Sequence, residues 1–187
     1  VPRGFSTSGR EGIALHRHEL VDTEVTQVDG LPVTTIVRTL VDLLVSIPRD
    51  PAAVAIEAAL NGRVLQLDEF EALPTLVRGR HGIGRAQKTL AQIRIGAESP
   101  FETLSRLHFA DHGLTASVIQ PVILDASGMF VGRADLGFGG DPPVVLGEAD
   151  GAAVHKGAAM RANAPARAEG VGLKGTEGDA GTGGGRV

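Results

Sequence analysis

Acidic side chains are the residues of this 187-residue chain best placed to do chemistry. If residues 130–138 are extended, side chains alternate: Phe130, Gly132, Ala134, Leu136 and Phe138 face one way, and Val131, Arg133 and Asp135 the other. At the end of the next apolar run, Glu148 and Asp150 stand two apart and share a face. Glu102 belongs to a helix that precedes both segments. Carboxylates from one helix and two neighbouring strand ends can converge on a single point. Such a cluster repels itself, and burial raises its pKa values. A divalent cation removes that penalty, and a set of oxygen ligands suits Mg²⁺. The metal would lower the pKa of a bound water and stabilise charge at phosphorus. The chemistry open to a cluster of Glu102, Asp135, Glu148 and Asp150 is therefore Mg²⁺-dependent cleavage of a phosphodiester.

Each of these residues also has an ordinary structural reading. Ser99 followed by Glu102 has the spacing of a helix capping box. Asp135 could pair with Arg133, and Glu148 and Asp150 precede Gly151 as turn residues do. His108 and His112, four apart on one helix face, have a metal-binding spacing, but no Glu follows the first His as in zinc proteases. Arg38 and Asp42 read as an i,i+4 ion pair. The segment 78–94 carries Arg78, Arg80, Arg85, Lys88 and Arg94 with no acid among them. Arg78, Arg80, Arg85 and Lys88 are candidate contacts for nucleic-acid phosphates; a solvated helix face explains the same run.

The elements that must position these groups follow from pattern. Residues 13–15 and 25–28 read as strands, and Asp29-Gly30 makes the latter a hairpin with residues 31–33. Pro32 marks an edge. Thr34 or Thr35 caps a helix with Ile36, Val37, Leu40, Val41, Leu44 and Ile47 at helical spacing, closed by Pro48. Asp50-Pro51 opens a second helix that stops at Asn61-Gly62. Asp68 opens a third containing Pro74, and Ile83, Ala86, Leu90 and Ile93 line a fourth. From Ser99 the order becomes helix–strand–strand–strand, with Pro121 interrupting the first strand and Ser127-Gly128 turning into the second. Residues 170–187 offer little apolar surface against a backbone ordering cost of about 1–2 kcal/mol per residue, so disorder is expected there. The expected organisation is α+β: a helical region over 1–98 with small strands, an endonuclease-like α-β-β-β core over 99–156, and a Gly/Ala-rich tail over 157–187.

Two resemblances bear on function. The helix with Ser99-x-x-Glu102, the strand with Gly132-Arg133-Ala134-Asp135, and Glu148-Ala149-Asp150-Gly151 with His155 nearby resemble the very-short-patch-repair-endonuclease-like family of restriction-endonuclease-like nucleases. That resemblance implies an α-β-β-β-α-β core, of which the last helix and strand are not legible here. It also implies metal or catalytic roles for Glu102, Asp135, Glu148 and Asp150, and a role as base or phosphate contact for His155. Gly30-Leu31-Pro32-Val33-Thr34-Thr35 with Arg38-Thr39-Leu40-Val41-Asp42-Leu43 resembles the type IV, AbiEi-like antitoxins. It implies a DNA or toxin-protein partner, and with it an alternative function as a non-catalytic regulator. Antitoxins of this kind place a winged helix ahead of the region, a segment not read in this chain.

Composition sets outer limits. Net charge is −4, which argues against a charge-driven nucleic-acid coat protein. No cysteine is present, so disulfides, thiolate metal sites and cysteine nucleophiles are excluded. With six Phe and no Tyr or Trp, the core must be aliphatic. No apolar run approaches the roughly 20 residues of a membrane helix, and Val1-Pro2-Arg3-Gly4 does not open a signal peptide; no membrane association and a cytoplasmic location are expected.

Overall fold

The computed structural model describes residues 11–13 and 15–149 and has a mixed α+β architecture. A 3₁₀ turn (Asp22–Glu24) leads into the hairpin of β1 (Val25–Val28) and β2 (Leu31–Thr34). Asp29 and Gly30 both take positive φ, 50° and 77°, as a tight two-residue turn demands. Val28 faces Leu31 next to the turn, which leaves Gln27 and Pro32 as the following, non-hydrogen-bonded pair. The missing Pro32 N–H is therefore not needed in the ladder.

Four helices follow: α1 (Ile36–Ser46), α2 (Arg49–Asn61), α3 (Leu67–Leu76) and α4 (Ile83–Leu90). The Thr35 side chain caps α1 by accepting from the Arg38 N–H at 3.3 Å. Helical spacing brings Leu40, Val41 and Leu44 of α1 onto one face, where they meet Ile56 of α2, Leu73 of α3 and Ala86 of α4 in a common core. Leu44, Ile56 and Leu73 are fully buried, each worth about 1.5–3 kcal/mol in transfer terms. The core is aliphatic, as the scarcity of aromatics required. A fifth helix, α5 (Pro100–Asp111), is capped by Ser99 and packs on α2. Its Leu107 joins the same cluster across the expected boundary at 98/99.

The remaining strands form one bent hairpin and an added strand. β3 (Val118–Ile119) and β4 (Val122–Leu124) are halves of one extended segment broken at Gln120-Pro121. β5 (Phe130–Arg133) and β6 (Leu136–Phe138) are halves of the facing segment, broken at Ala134-Asp135. One register crosses the break, with Val118 opposite Gly137 and Val122 opposite Arg133, and it shifts only at Ile123/Leu124, where Leu124 faces Phe130. Across the break the Gln120 N–H donates to the Asp135 carbonyl at 2.9 Å and the Ala134 N–H to the Pro121 carbonyl at 3.2 Å. β7 (Val145–Gly147) adds antiparallel to β6, giving the order β3-β6-β7. Ala134, Leu136 and Phe138 are buried and Val131 and Arg133 exposed, as the expected alternation requires, but Phe130, expected on the buried face, is 66% exposed, so the alternation holds only from Ala134 onward. Phe138 meets Phe109 of α5 edge to face, ring centres 5.5 Å apart.

Several boundaries differ from the sequence reading. Ile13 and Leu15 lie in irregular backbone with Ile13 exposed, not in a strand. α2 begins at Arg49, ahead of Asp50-Pro51, with Pro48 at its N-cap. Its end falls at Asn61 as expected, but Arg63, not Gly62, takes the left-handed conformation, at φ 56°. α3 is capped at Gln66, where the Glu69 carboxylate accepts from the Gln66 N–H at 2.8 Å. Within 78–94 only Ile83–Leu90 is helical. The expected tail, 157–187, lies outside the described residues.

Two glycines of α4 separate strain from propensity. Gly82, the N-cap, has φ 90°, and a Cβ there would stand 2.5 Å from the Val45 carbonyl oxygen. Gly84, the second residue of the helix, has open space around it. Gly82→Ala should lower stability by more than about 1 kcal/mol, whereas Gly84→Ala should raise it by about 0.5–1 kcal/mol. Urea unfolding of the two variants measures both, and a destabilised Gly84→Ala would contradict the packing described.

Candidate functional site

The first turn of α5 and the bend of the hairpin face one another. Glu102 is 7% exposed, and its Oε2 accepts from the Glu98 N–H at 2.9 Å and from Gln120 Nε2 at 3.3 Å. The expected capping box is half formed. Ser99 Oγ accepts from the Glu102 N–H at 3.2 Å, but the Glu102 carboxylate reaches past Ser99 to the residue before it. Asp135 lies in the break, immediately before β6. Its backbone carbonyl is held by the Gln120 N–H at 2.9 Å, and its Oδ2 accepts from the Ala149 N–H at 2.6 Å. Gln120 thus touches both carboxylate-bearing residues, one through its side chain and one through its backbone.

The other candidates fall around this pair. Arg133 bonds Glu98 at 2.9 Å, on the surface, and leaves Asp135 to the β7 side. Glu148 follows β7 directly. Leu136 pairs with Gly147, so the same register carried one step further sets Glu148 opposite Asp135. Glu148 is exposed. Asp150 and His155 lie outside the described residues. His108 and His112 meet each other on α5, with the His112 ring nitrogen 2.8 Å from the His108 carbonyl. Among the described residues no three His, Asp or Glu side chains gather closely enough to hold a metal ion. The donors of Glu102, Asp135 and Glu148 are oxygens of the kind Mg²⁺ takes.

The basic run is placed unevenly. Arg78 and Lys88 are exposed. Arg80 bonds Asp42 at 3.1 Å, and Arg85 donates to the Val45 carbonyl at 2.6 Å. Asp42 in turn accepts from Arg38 at 2.9 Å, so the expected i,i+4 pair is present as part of a larger network.

Two groups of residues escaped the sequence reading. Gln120 was visible only as the residue before a proline, with nothing in its type to suggest that it would bridge two acids. The second group is a buried polar cluster between α2 and α5. Glu57 and Arg106, 2% and 6% exposed, form an ion pair, and Glu57 also accepts from Thr103 Oγ1 at 2.6 Å and the Arg94 N–H at 2.8 Å. A lone Glu on the alanine-lined face of a helix was the available signal.

No family model, curated protein or solved structure matches the chain.

Glu102 has a structural role that can be measured apart from any chemistry. Glu102→Ala removes the acceptor of both the Glu98 N–H and Gln120 and should cost about 1–3 kcal/mol. Glu102→Gln keeps one acceptor oxygen and should cost less. Equal losses by denaturant unfolding would show that these hydrogen bonds do not hold the turn.

Proposed function

We propose that the chain is a nuclease-like protein acting on DNA phosphodiesters with Mg²⁺, related to the antitoxin and phage-defence proteins its sequence resembles. The observation that carries this reading is the meeting of Glu102, from α5, with Asp135, from the bent hairpin, through Gln120. Residues distant in sequence thereby meet beside the start of β6, the central strand of its sheet, and the β6–β7 register carried one step further would set Glu148 opposite Asp135. Asp135, Glu148 and Asp150 would hold the metal. Bound there, Mg²⁺ supplies charge neutralisation at the phosphate and a water of lowered pKa. The protein's own part is positioning: the Ala149 N–H fixes the Asp135 carboxylate, and Gln120 fixes that of Glu102.

A second reading, a non-catalytic regulator that binds DNA or a toxin protein, draws on a different observation. Three metal-ligating side chains do not gather among the described residues, and Arg78 and Lys88 stand exposed on a stretch without acids. Phosphate contacts of that kind weaken steeply with salt.

Nicking of supercoiled DNA by the full chain with and without Mg²⁺ separates the readings. Asp135→Asn keeps an oxygen for the Ala149 N–H while removing the charge. It should reduce nicking by at least about a hundredfold if the carboxylate serves the reaction. Wild-type nicking no faster than that of the variant would overturn the nuclease reading. Salt-dependent DNA binding without cleavage, weakened by Arg78→Gln and Lys88→Gln, would establish the regulator.

A further inference from the structure

Phe130 lies outward where strict alternation would turn it inward, and the register shift in the β4–β5 ribbon is the cause. Val122 faces Arg133 and Ile123 faces Gly132, but Leu124 faces Phe130, so Val131 is an extra residue on β5. A β-bulge of this kind sets two residues of one strand against one of the other. Phe130 and Val131 therefore both stand against Leu124, on the face that Val122 shares with it. Each of these four residues is more than half exposed, while Ile123 and Gly132, on the opposite face, are half-buried. The bulge gathers four large apolar side chains on one outward face.

A two-stranded ribbon is marginal by itself and gains stability when its apolar face packs on another layer. β4 and β5 pair only with each other among the described residues, and neither has an extensive contact with a helix. The four side chains leave roughly 450 Å² of apolar surface in water, the size of patch that monomers keep for contacts.

Charge and area indicate what covers it. The face carries no acid. At one end Arg133, opposite Val122, is paired with Glu98 at 2.9 Å. At the other the Asp125 carboxylate accepts from the Ser127 and Met129 N–H groups of its own turn. With the charges at both ends engaged within the chain, two identical faces meet without repulsion. Two such faces and their rims come to about 1,000 Å², the least a specific interface requires and the scale of a reversible one. The rest of the chain offers no matching strip. Residues 150–187 hold Val154, Met160, Val171, Leu173 and Val187 dispersed among glycine and alanine, and residues 1–10 hold Val1 and Phe5.

We propose that the outward face of the β4–β5 ribbon is a self-association surface, on which two copies of this chain pack face to face about a two-fold axis through Val122, Leu124, Phe130 and Val131. The product is a two-layer, four-stranded sandwich with its layers about 10 Å apart. The surface uses none of Glu102, Gln120 and Asp135 and does not depend on the function proposed for them.

Sedimentation equilibrium of the full chain between about 5 and 200 μM should show the mass rising from one chain toward two. Over the same range the methyl resonances of Val122, Leu124 and Val131 should shift in ¹³C-edited spectra, while those of Val28 and Leu31, exposed on the β1–β2 hairpin, should stay fixed. Phe130→Glu brings two carboxylates to one apolar contact and should weaken association at least about tenfold. Leu31→Glu, the same change at an equally exposed position, should leave association unaltered. A chain that stays single at about 200 μM overturns the proposal. So does a dimer that Phe130→Glu leaves intact, or one that Leu31→Glu weakens as much. Shielding of the ribbon methyls that is the same at every concentration assigns the face to a segment of the same chain and overturns it too. The resonances are read on the wild-type chain, so the test stands even if Phe130→Glu fails to fold.

Discussion

A single buried ion pair, Glu57 with Arg106, sets where the candidate site can be. Both residues are almost wholly withdrawn from water. Burying such a pair is costly unless further hydrogen bonds accompany it, and removal of one partner typically costs about 3–5 kcal/mol. Here Glu57 of α2 gathers Thr103 and Arg106 of α5 and the backbone of Arg94, while Arg106 reaches the Gln92 carbonyl. Thr103, Arg106 and Leu107 are neighbours on one stripe of α5, and that stripe is fastened to α2. The rotation of α5 about its own axis is then fixed. Glu102, one position before Thr103, is left on the flank next to the hairpin, where Gln120 meets it. The carboxylate is placed by a pair of charges one turn further along the helix.

A second polar knot does the same for the N-terminal hairpin. Arg38, 4% exposed, bonds Asp42 at 2.9 Å, Glu24 at 2.5 Å and the Glu19 carbonyl at 3.2 Å. Burial alone would draw its pKa down, but the Asp42 and Glu24 carboxylates outweigh that and hold it up. Arg80 closes the other side of Asp42. Residues that carry the antitoxin-like resemblance turn out to be structural in this chain. Gly30 makes the turn, Thr34 and Thr39 bond each other at 2.7 Å, Thr35 caps α1, Arg38 and Asp42 form the knot, and Leu40 and Val41 enter the core. Each is explained by folding, and none is thereby committed to a partner.

Legibility in the sequence followed the range of the interaction. Asp29-Gly30, Thr35 at the start of α1, Ser99 at the start of α5 and the interruption at Pro121 are local signals, each decided by a few neighbouring residues. So was the alternation that buries Ala134, Leu136 and Phe138. Gln66 was missed as a cap because the reciprocal bond comes from Glu69, three residues on. Asp50-Pro51 misled because Pro51 is also accepted within the first helical turn, where its missing N–H has no intrahelical partner. Glu57 with Arg106 and Gln120 with Glu102 join residues 49 and 18 apart. No spacing rule reaches them, since their proximity is a product of the packed core and of the bend.

That bend is where local strain and global arrangement meet. Gln120 holds φ 51°, a conformation uncommon for a residue with a side chain, and such backbone typically costs about 1–3 kcal/mol. A straight hairpin would avoid the cost and keep the same pairing across the break, because Ile119–Leu136 and Val122–Arg133 share one register. The chain instead takes up the strain exactly where Gln120 N–H holds the Asp135 carbonyl and Gln120 Nε2 holds Glu102. Pro121 has no N–H to offer the ladder, so the break sacrifices no donor on that residue. The bent hairpin therefore gives up little pairing and gains a fixed relation between an acid on a helix and an acid on a strand. Pairing energetics alone do not require that relation, and this sets Gln120 apart from the residues that merely fold.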